Sequence, residues 1–275
     1  MSETTLFKVA LALYACALAI YLIYQFIYQF RGKEKLGLAG WSAALLGLLS
    51  HTAALIHRTV ASGHAPFTNM YESLSFLAWA CLAAYLVIDR AFKIPRAGFL
   101  FLIVVLALML LANSPLMPKE ITPLVPALQS YWLWLHVSIT LLGEAFFAVA
   151  FITSLMYLAA ASREKKGGQP SGLSAEKLDA ISYRCVAVGF PLFTLGGLVL
   201  GMVWAYKAWG TYWSWDPKEV WSLITWFIFA LYLHTRLVMG WKGKRSAVIV
   251  IIGFLLALFT YFGVNYLLAG LHSYA

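Results

Sequence analysis

The stretch WGTYWSWDPKEVW, residues 209–221, gathers five aromatic rings and an acid, Asp216, into a short polar gap between two apolar runs. A single indole there would serve as an interfacial anchor, since Trp and Tyr favour membrane–water boundaries. Trp209, Tyr212, Trp213 and Trp215 fall within seven residues, more than anchoring needs, and Gly210 allows the backbone a tight approach. Such a set suits the face or edge of a large, flat, apolar ligand. Asp216 is also a good helix N-cap, with Pro217 at the first helical position and Glu219 completing a capping box. Capping and ligand contact are compatible roles for it.

Six histidines supply the chemistry such a platform could serve: His51, His57, His64, His136, His234 and His272. His136, in YWLWLHVS, lies about six residues into an apolar run, roughly 8–9 Å from its start at 1.5 Å per residue. His272, in GLHSYA, follows the last apolar run. Topology brings both imidazoles to the membrane face that holds the aromatic loop. Two neutral imidazoles opposed across an apolar disc are a sensible way to hold haem iron. His234 lies 17 residues past Pro217, ~26 Å along its run. It reads either as an interfacial residue beside Arg236 or as a ligand for a second, membrane-embedded group whose other ligand comes from another chain. Glu144, eight residues past His136, reads as a structural hydrogen-bonding group before a proton-handling one. In the segment SGHAPFTNMYES, residues 62–73, Glu72 starts a helix; His57 and His64 are secondary candidates, and Arg58 could meet an anionic propionate.

These residues need a membrane scaffold, and the composition supplies one. Of 275 residues, 62% are hydrophobic and 11% charged, against about 25% charged in soluble domains. The expected fold is an all-α integral membrane bundle of about eight transmembrane helices. The apolar runs are Leu6–Phe30, Leu36–Ile56, Tyr71–Ile88, Ala97–Ala112, Tyr131–Ala161, Cys185–Ala205, Pro217–Met239 and Ala247–Ala269. Residues 1–275 read as a single transmembrane domain with its aromatic loop at about 205–220. The first run lacks a cleavage site and is expected to stay as a helix.

Fifteen of the 20 Lys and Arg residues fall in alternate loops: Arg31, Lys33, Lys35; Arg90, Lys93, Arg96; Arg163, Lys165, Lys166, Lys177, Arg184; Arg236, Lys242, Lys244, Arg245. The positive-inside rule places these in the cytoplasm and both termini, with the aromatic loop, on the extracytoplasmic side. The net charge of +9 is therefore an orientation signal and needs no nucleic acid. In the longest basic loop, residues 162–184, a flexible linker is followed by a short polar helix. Cys16, Cys81 and Cys185 are isolated in apolar runs and read as buried structural thiols. With no CxxC or CxxCH, the chain is neither a thiol–disulfide enzyme of that type nor a covalent haem carrier.

WGTYWSWD resembles the tryptophan-rich WWD signature of haem-handling proteins in cytochrome c maturation. With His136, His272, SGHAPFTNMYES and LHSY, nearly the whole chain resembles the CcsA (ResC) family of system II. The resemblance implies a multi-pass protein of the bacterial cytoplasmic membrane, or of the thylakoid membrane in a plastid. It implies a component of cytochrome c synthase (haem lyase) that acts with a CcsB-type partner on haem b (iron protoporphyrin IX) and an apocytochrome c bearing CxxCH. By that pattern His136 and His272 are the external axial ligands. Trp209, Tyr212, Trp213, Trp215 and Asp216 contact the haem, and His234 is the transmembrane ligand. A haem transporter or chaperone that leaves attachment to another protein would use the same residues. A small-molecule or ion transporter with interfacial aromatics is disfavoured, for lack of broken mid-membrane helices with paired charges.

Overall fold

The structure, a computed structural model, describes residues 2–26, 33–167, 173–268 and 270–271. It holds eight helical stretches long and apolar enough to cross a bilayer, with no strand among the described residues. A lipid-spanning backbone must satisfy its hydrogen bonds internally, which helices do. The elements are α1 (Glu3–Phe26), α2 (Lys33–Ser62), α3 (Met70–Phe92), α4 (Gly98–Ala112), α5 (Tyr131–Lys165), α6 (Ala175–Phe193), α7 (Gly201–Trp209), α8 (Pro217–Leu237), α9 (Lys244–Leu258) and α10 (Val264–Leu267). A π-helical segment, Thr194–Leu200, joins α6 to α7, and another, Phe259–Gly263, joins α9 to α10. Each of these pairs is one continuous span.

The chain divides into two compact units, Met1–Pro123 and Leu124–Ala275. In the first, α1 pairs with α2, and α3 packs on both α2 and α4. Tyr14, Tyr21 and Tyr24 of α1 are buried. His51 is a core residue: its Nδ1 meets the Tyr14 hydroxyl at 3.3 Å and its Nε2 the Ser75 hydroxyl at 2.9 Å. At the end where α2 leads into α3, the loop is fixed by polar contacts. Arg58 Nε donates to Glu72 at 2.9 Å, and Thr68 donates its N–H and hydroxyl to the same carboxylate. Asn69 caps α3 by accepting from the Glu72 N–H.

In the second unit α5 packs on α6 and α9, and α8 on α9. A Ser154–Ser182 hydrogen bond of 2.8 Å ties α5 to α6. Two results differ from the sequence expectation. The short polar helix expected after the linker of the 162–184 loop is not separate; it forms the first turns of α6. Its Leu178, Ile181 and Ser182 continue the buried face of the span, and Asp179 receives both Arg236 Nη groups at 2.9 and 2.7 Å. Cys81 and Cys185 are buried as expected, but Cys16 is exposed, because it lies off the face of α1 that buries Ala10, Tyr14, Ala17 and Tyr21.

Candidate functional site

The geometry around His136 begins with a departure from helical regularity. In the π-segment the Gly201 N–H reaches back five residues to the Gly196 carbonyl. That carbonyl, with its second lone pair, also accepts from His136 Nδ1 at 2.8 Å. A carbonyl can only accept, so Nδ1 carries the proton and Nε2 is the basic nitrogen, the atom through which such a tautomer binds a metal. The contact requires α5 to lie directly on the π-segment backbone. A Cβ at Gly196 would collide with the Thr140 nitrogen and stand 2.7 Å from the Ile139 carbonyl carbon. π-Bulges recur at functional sites because they redirect backbone groups in this way.

The imidazole plane is set by a ring on α7. Trp204 stacks on His136 with centroids 5.7 Å apart and planes 8° apart. Trp204 is buried, its Nε1 donates to the Ala127 carbonyl at 3.0 Å, and Trp209 meets it edge-on at 4.9 Å. His136 is therefore held by a hydrogen bond on one nitrogen and a ring on one face, with Trp209 joined to it through Trp204.

The aromatic loop between α7 and α8 is built by capping. Gly210 ends α7 at φ 84°, and Asp216 begins α8 by accepting from the Lys218 N–H at 2.9 Å. Glu219 completes the capping box and does more: it accepts from the Ser214 N–H at 2.8 Å and the Asp216 N–H at 3.2 Å. Trp215, held between those two amides, sits at φ 59°, a left-handed conformation costly for a residue with a Cβ. Its indole is pushed outward and is 71% exposed. Trp213 packs edge-on against Trp215 at 5.8 Å, and Tyr212 stacks on Tyr206 at 4.4 Å.

Asp216 is buried, and its second oxygen accepts from the Leu271 N–H at 2.6 Å. This draws the segment following α10 to the foot of the aromatic loop. His272 lies outside the described residues. His234 is exposed on α8 in the turn that holds Arg236. Glu144 is buried in α5, with Lys218 supplying the nearby positive charge. Lys218 also donates to Asn265 at 2.9 Å, which ties α8 to α10. In the first unit His57 is exposed, His64 is buried with Nδ1 on the Ala65 carbonyl, and Arg58 contacts Glu72, Glu3 and the Lys119 carbonyl.

Sequence reasoning missed Trp204, Gly196 and the second role of Glu219. Trp204 stands five residues before Trp209 in VWAYKAW, within an apolar run where an indole looks like packing. The Gly196–Gly197 pair was the visible trace of the bulge.

Together the fold and the site define a multi-pass helical membrane protein. It presents an oriented imidazole and an aromatic loop at one end of its second unit. The Cytochrome C assembly protein family model matches residues 67–272. Proteins described as cytochrome c biogenesis protein CcsA are similar over most of the chain. The one from Gloeobacter violaceus is 35% identical, covering 96% of this chain and 94% of its own length. That from Mesostigma viride is 37% identical over 96% and 94%. That from Chlamydomonas reinhardtii is 44% identical over 86% of this chain, which spans 66% of that longer relative. The chain belongs to the CcsA family.

Proposed function

We propose that this protein carries haem b across the membrane and presents it at an external site for attachment to apocytochrome c, acting with a CcsB-type partner. The observation that supports this most is the His136 imidazole, committed at Nδ1 to the Gly196 carbonyl and stacked on Trp204, with Nε2 as its metal-binding atom. Haem is the cargo and His272 the second external axial ligand; Trp209, Tyr212, Trp213 and Trp215 cover its face and edge. His234, exposed on α8, suits a transmembrane site completed by the partner. The basic loops lie in the cytoplasm and the aromatic loop outside.

In the attachment, each thiol of a CxxCH segment adds across one haem vinyl group, forming a C–S bond while its hydrogen goes to the vinyl carbon. The protein's share is proximity and orientation. His136 and the loop hold the haem edge toward the incoming peptide, and the substrate's own histidine replaces one axial imidazole and starts release. No protein nucleophile is required. The test is His136→Gly in the full chain co-purified with its partner. Bound haem, read from the Soret band, should be lost and return with added imidazole. Unchanged haem content would overturn the assignment. The transporter reading gives the same spectra but yields no thioether product from an apo-peptide in the reconstituted complex.

A further inference from the structure

In the first unit, α2 and α3 line an apolar groove. It holds about 650 Å³ of open space, with Trp41, Leu45 and Leu48 of α2 on one wall and Ala83, Arg90 and Ala91 of α3 on the other. The α2 wall runs for roughly 10 Å and the α3 wall for roughly 12 Å, at 1.5 Å per residue. The two alanines each contribute only a methyl group, which leaves room between the helices. The groove is preformed. Trp41 Nε1 donates to the Leu86 carbonyl at 3.2 Å, so the indole is fixed as a bridge between α2 and α3.

One end of the groove is charged. Arg90 is exposed in the last turn of α3. Arg58 and Arg236 each meet a carboxylate within 4 Å, whereas among the described residues none lies that close to Arg90. Lys93, three residues on, and Lys35, near the start of α2, are exposed at the same end of the antiparallel pair. A guanidinium at the mouth of an apolar groove matches a molecule with an anionic head and a hydrocarbon tail. Arg binds phosphate oxygens through two parallel N–H bonds, and basic pockets between transmembrane helices hold anionic headgroups. The positive-inside rule assigns this end to the cytoplasm, where the leaflet carries anionic lipid. A partner's transmembrane helix would also suit the apolar walls, but it would have to bring its own acid to the depth of Arg90. A lipid phosphate already lies at that level.

We infer that this groove is a binding site for an anionic phospholipid, its phosphate on Arg90 and an acyl chain along Trp41, Leu45 and Leu48. Ordinary boundary lipid touches one helix surface at a time; here one chain is met from two helices and its head from a third direction. The bound lipid holds α2 against α3 from the bilayer side. None of these residues belongs to the proposed haem site, so the two readings can fail separately.

The test uses the full chain in detergent, alone and co-purified with its partner. It is titrated with phosphatidylglycerol or phosphatidylcholine whose acyl chains carry bromine, a short-range quencher of indole fluorescence. Trp41→Phe isolates the Trp41 signal by difference. Quenching of Trp41 should saturate, at a phosphatidylglycerol concentration at least five-fold below that needed for phosphatidylcholine. Arg90→Gln should abolish this preference and Arg90→Lys should keep part of it. Ala91→Phe, at an exposed position, should remove saturable quenching by both lipids. Thermal unfolding without lipid checks that each variant is folded; added phosphatidylglycerol should raise Tm in the parent and not in Arg90→Gln. Quenching that never saturates, equal affinity for the two lipids, or a preference that survives Arg90→Gln would each overturn the site. Loss of Trp41 quenching once the partner is bound would give the groove to the partner's helix and overturn the lipid equally.

Discussion

His136 gives its Nδ1 proton to the Gly196 carbonyl at 2.8 Å, across the contact between α5 and the π-segment. The imidazole's direction is thus fixed by a backbone irregularity sixty residues away in sequence. Gly196→Ala should force α5 away from that segment and lower haem content at least ten-fold. Gly197→Ala is the control, since a Cβ there finds its nearest neighbour, a Phe193 ring carbon, at 3.5 Å. Haem per protein, measured in detergent, should fall in the first variant and stay level in the second.

Trp204 supports both the fold and the site. Trp204→Ala empties a buried indole volume and should cost about 3–5 kcal/mol, with haem loss as well. Trp204→Phe keeps a ring against His136 and gives up the bond to the Ala127 carbonyl, about 1 kcal/mol, together with part of the indole's packing. Thermal unfolding and Soret intensity together should rank the parent above Phe and Phe well above Ala.

At Trp215 stability and function should move in opposite directions. Glycine adopts φ 59° without penalty, so Trp215→Gly should relieve about 1 kcal/mol of backbone strain and raise Tm by a few degrees. Thioether product from the reconstituted complex should nevertheless fall, because the outward indole is gone. A fall in both would place Trp215 in the fold's own packing.

The Asp179–Arg236 pair lies at the opposite end of the second unit, with side chains only 11% and 9% exposed. Asp179 also accepts from the Gly243 N–H at 2.9 Å. Asp179→Asn strands the guanidinium and should cost about 3–5 kcal/mol. Whatever protein folds should keep an unaltered haem spectrum, which separates a stability defect from a site defect.

His234→Ala should leave stability within about 0.5 kcal/mol of the parent's, as expected for an exposed side chain away from packing. Its effect should appear only in the co-purified complex, as loss of one of two haem populations. A spectrum identical to the parent's in that complex would remove His234 from the transmembrane site.

Much of the frame was legible in the sequence because its causes are local. Apolar runs mark the spans, and Asp216, Pro217 and Glu219 announce the start of α8 within four residues. The site was legible in part. His136 and the aromatic loop stood out by residue type, whereas the orientation of His136 depends on Gly196, whose bulge forms only where α5 presses on it. Trp204 looked like membrane packing because its role is to face a histidine from another helix. The polar turns before Cys185 read as a short helix apart from the span, since the partner that retains them, Arg236, comes from elsewhere in the chain. Local propensity cannot report such pairings.

The bulge between α6 and α7 amounts to one surplus residue in an otherwise regular rod. A wide turn absorbs that residue and keeps the helix on either side in register, so deleting a single position from 194–200 would restore a regular helix, leave Trp204 and Trp209 near their present bearings, and withdraw the Gly196 carbonyl from His136. Sequence length in that stretch is therefore constrained alongside the identity of Gly196: conservative exchanges at the other positions should be survivable where a one-codon loss is not.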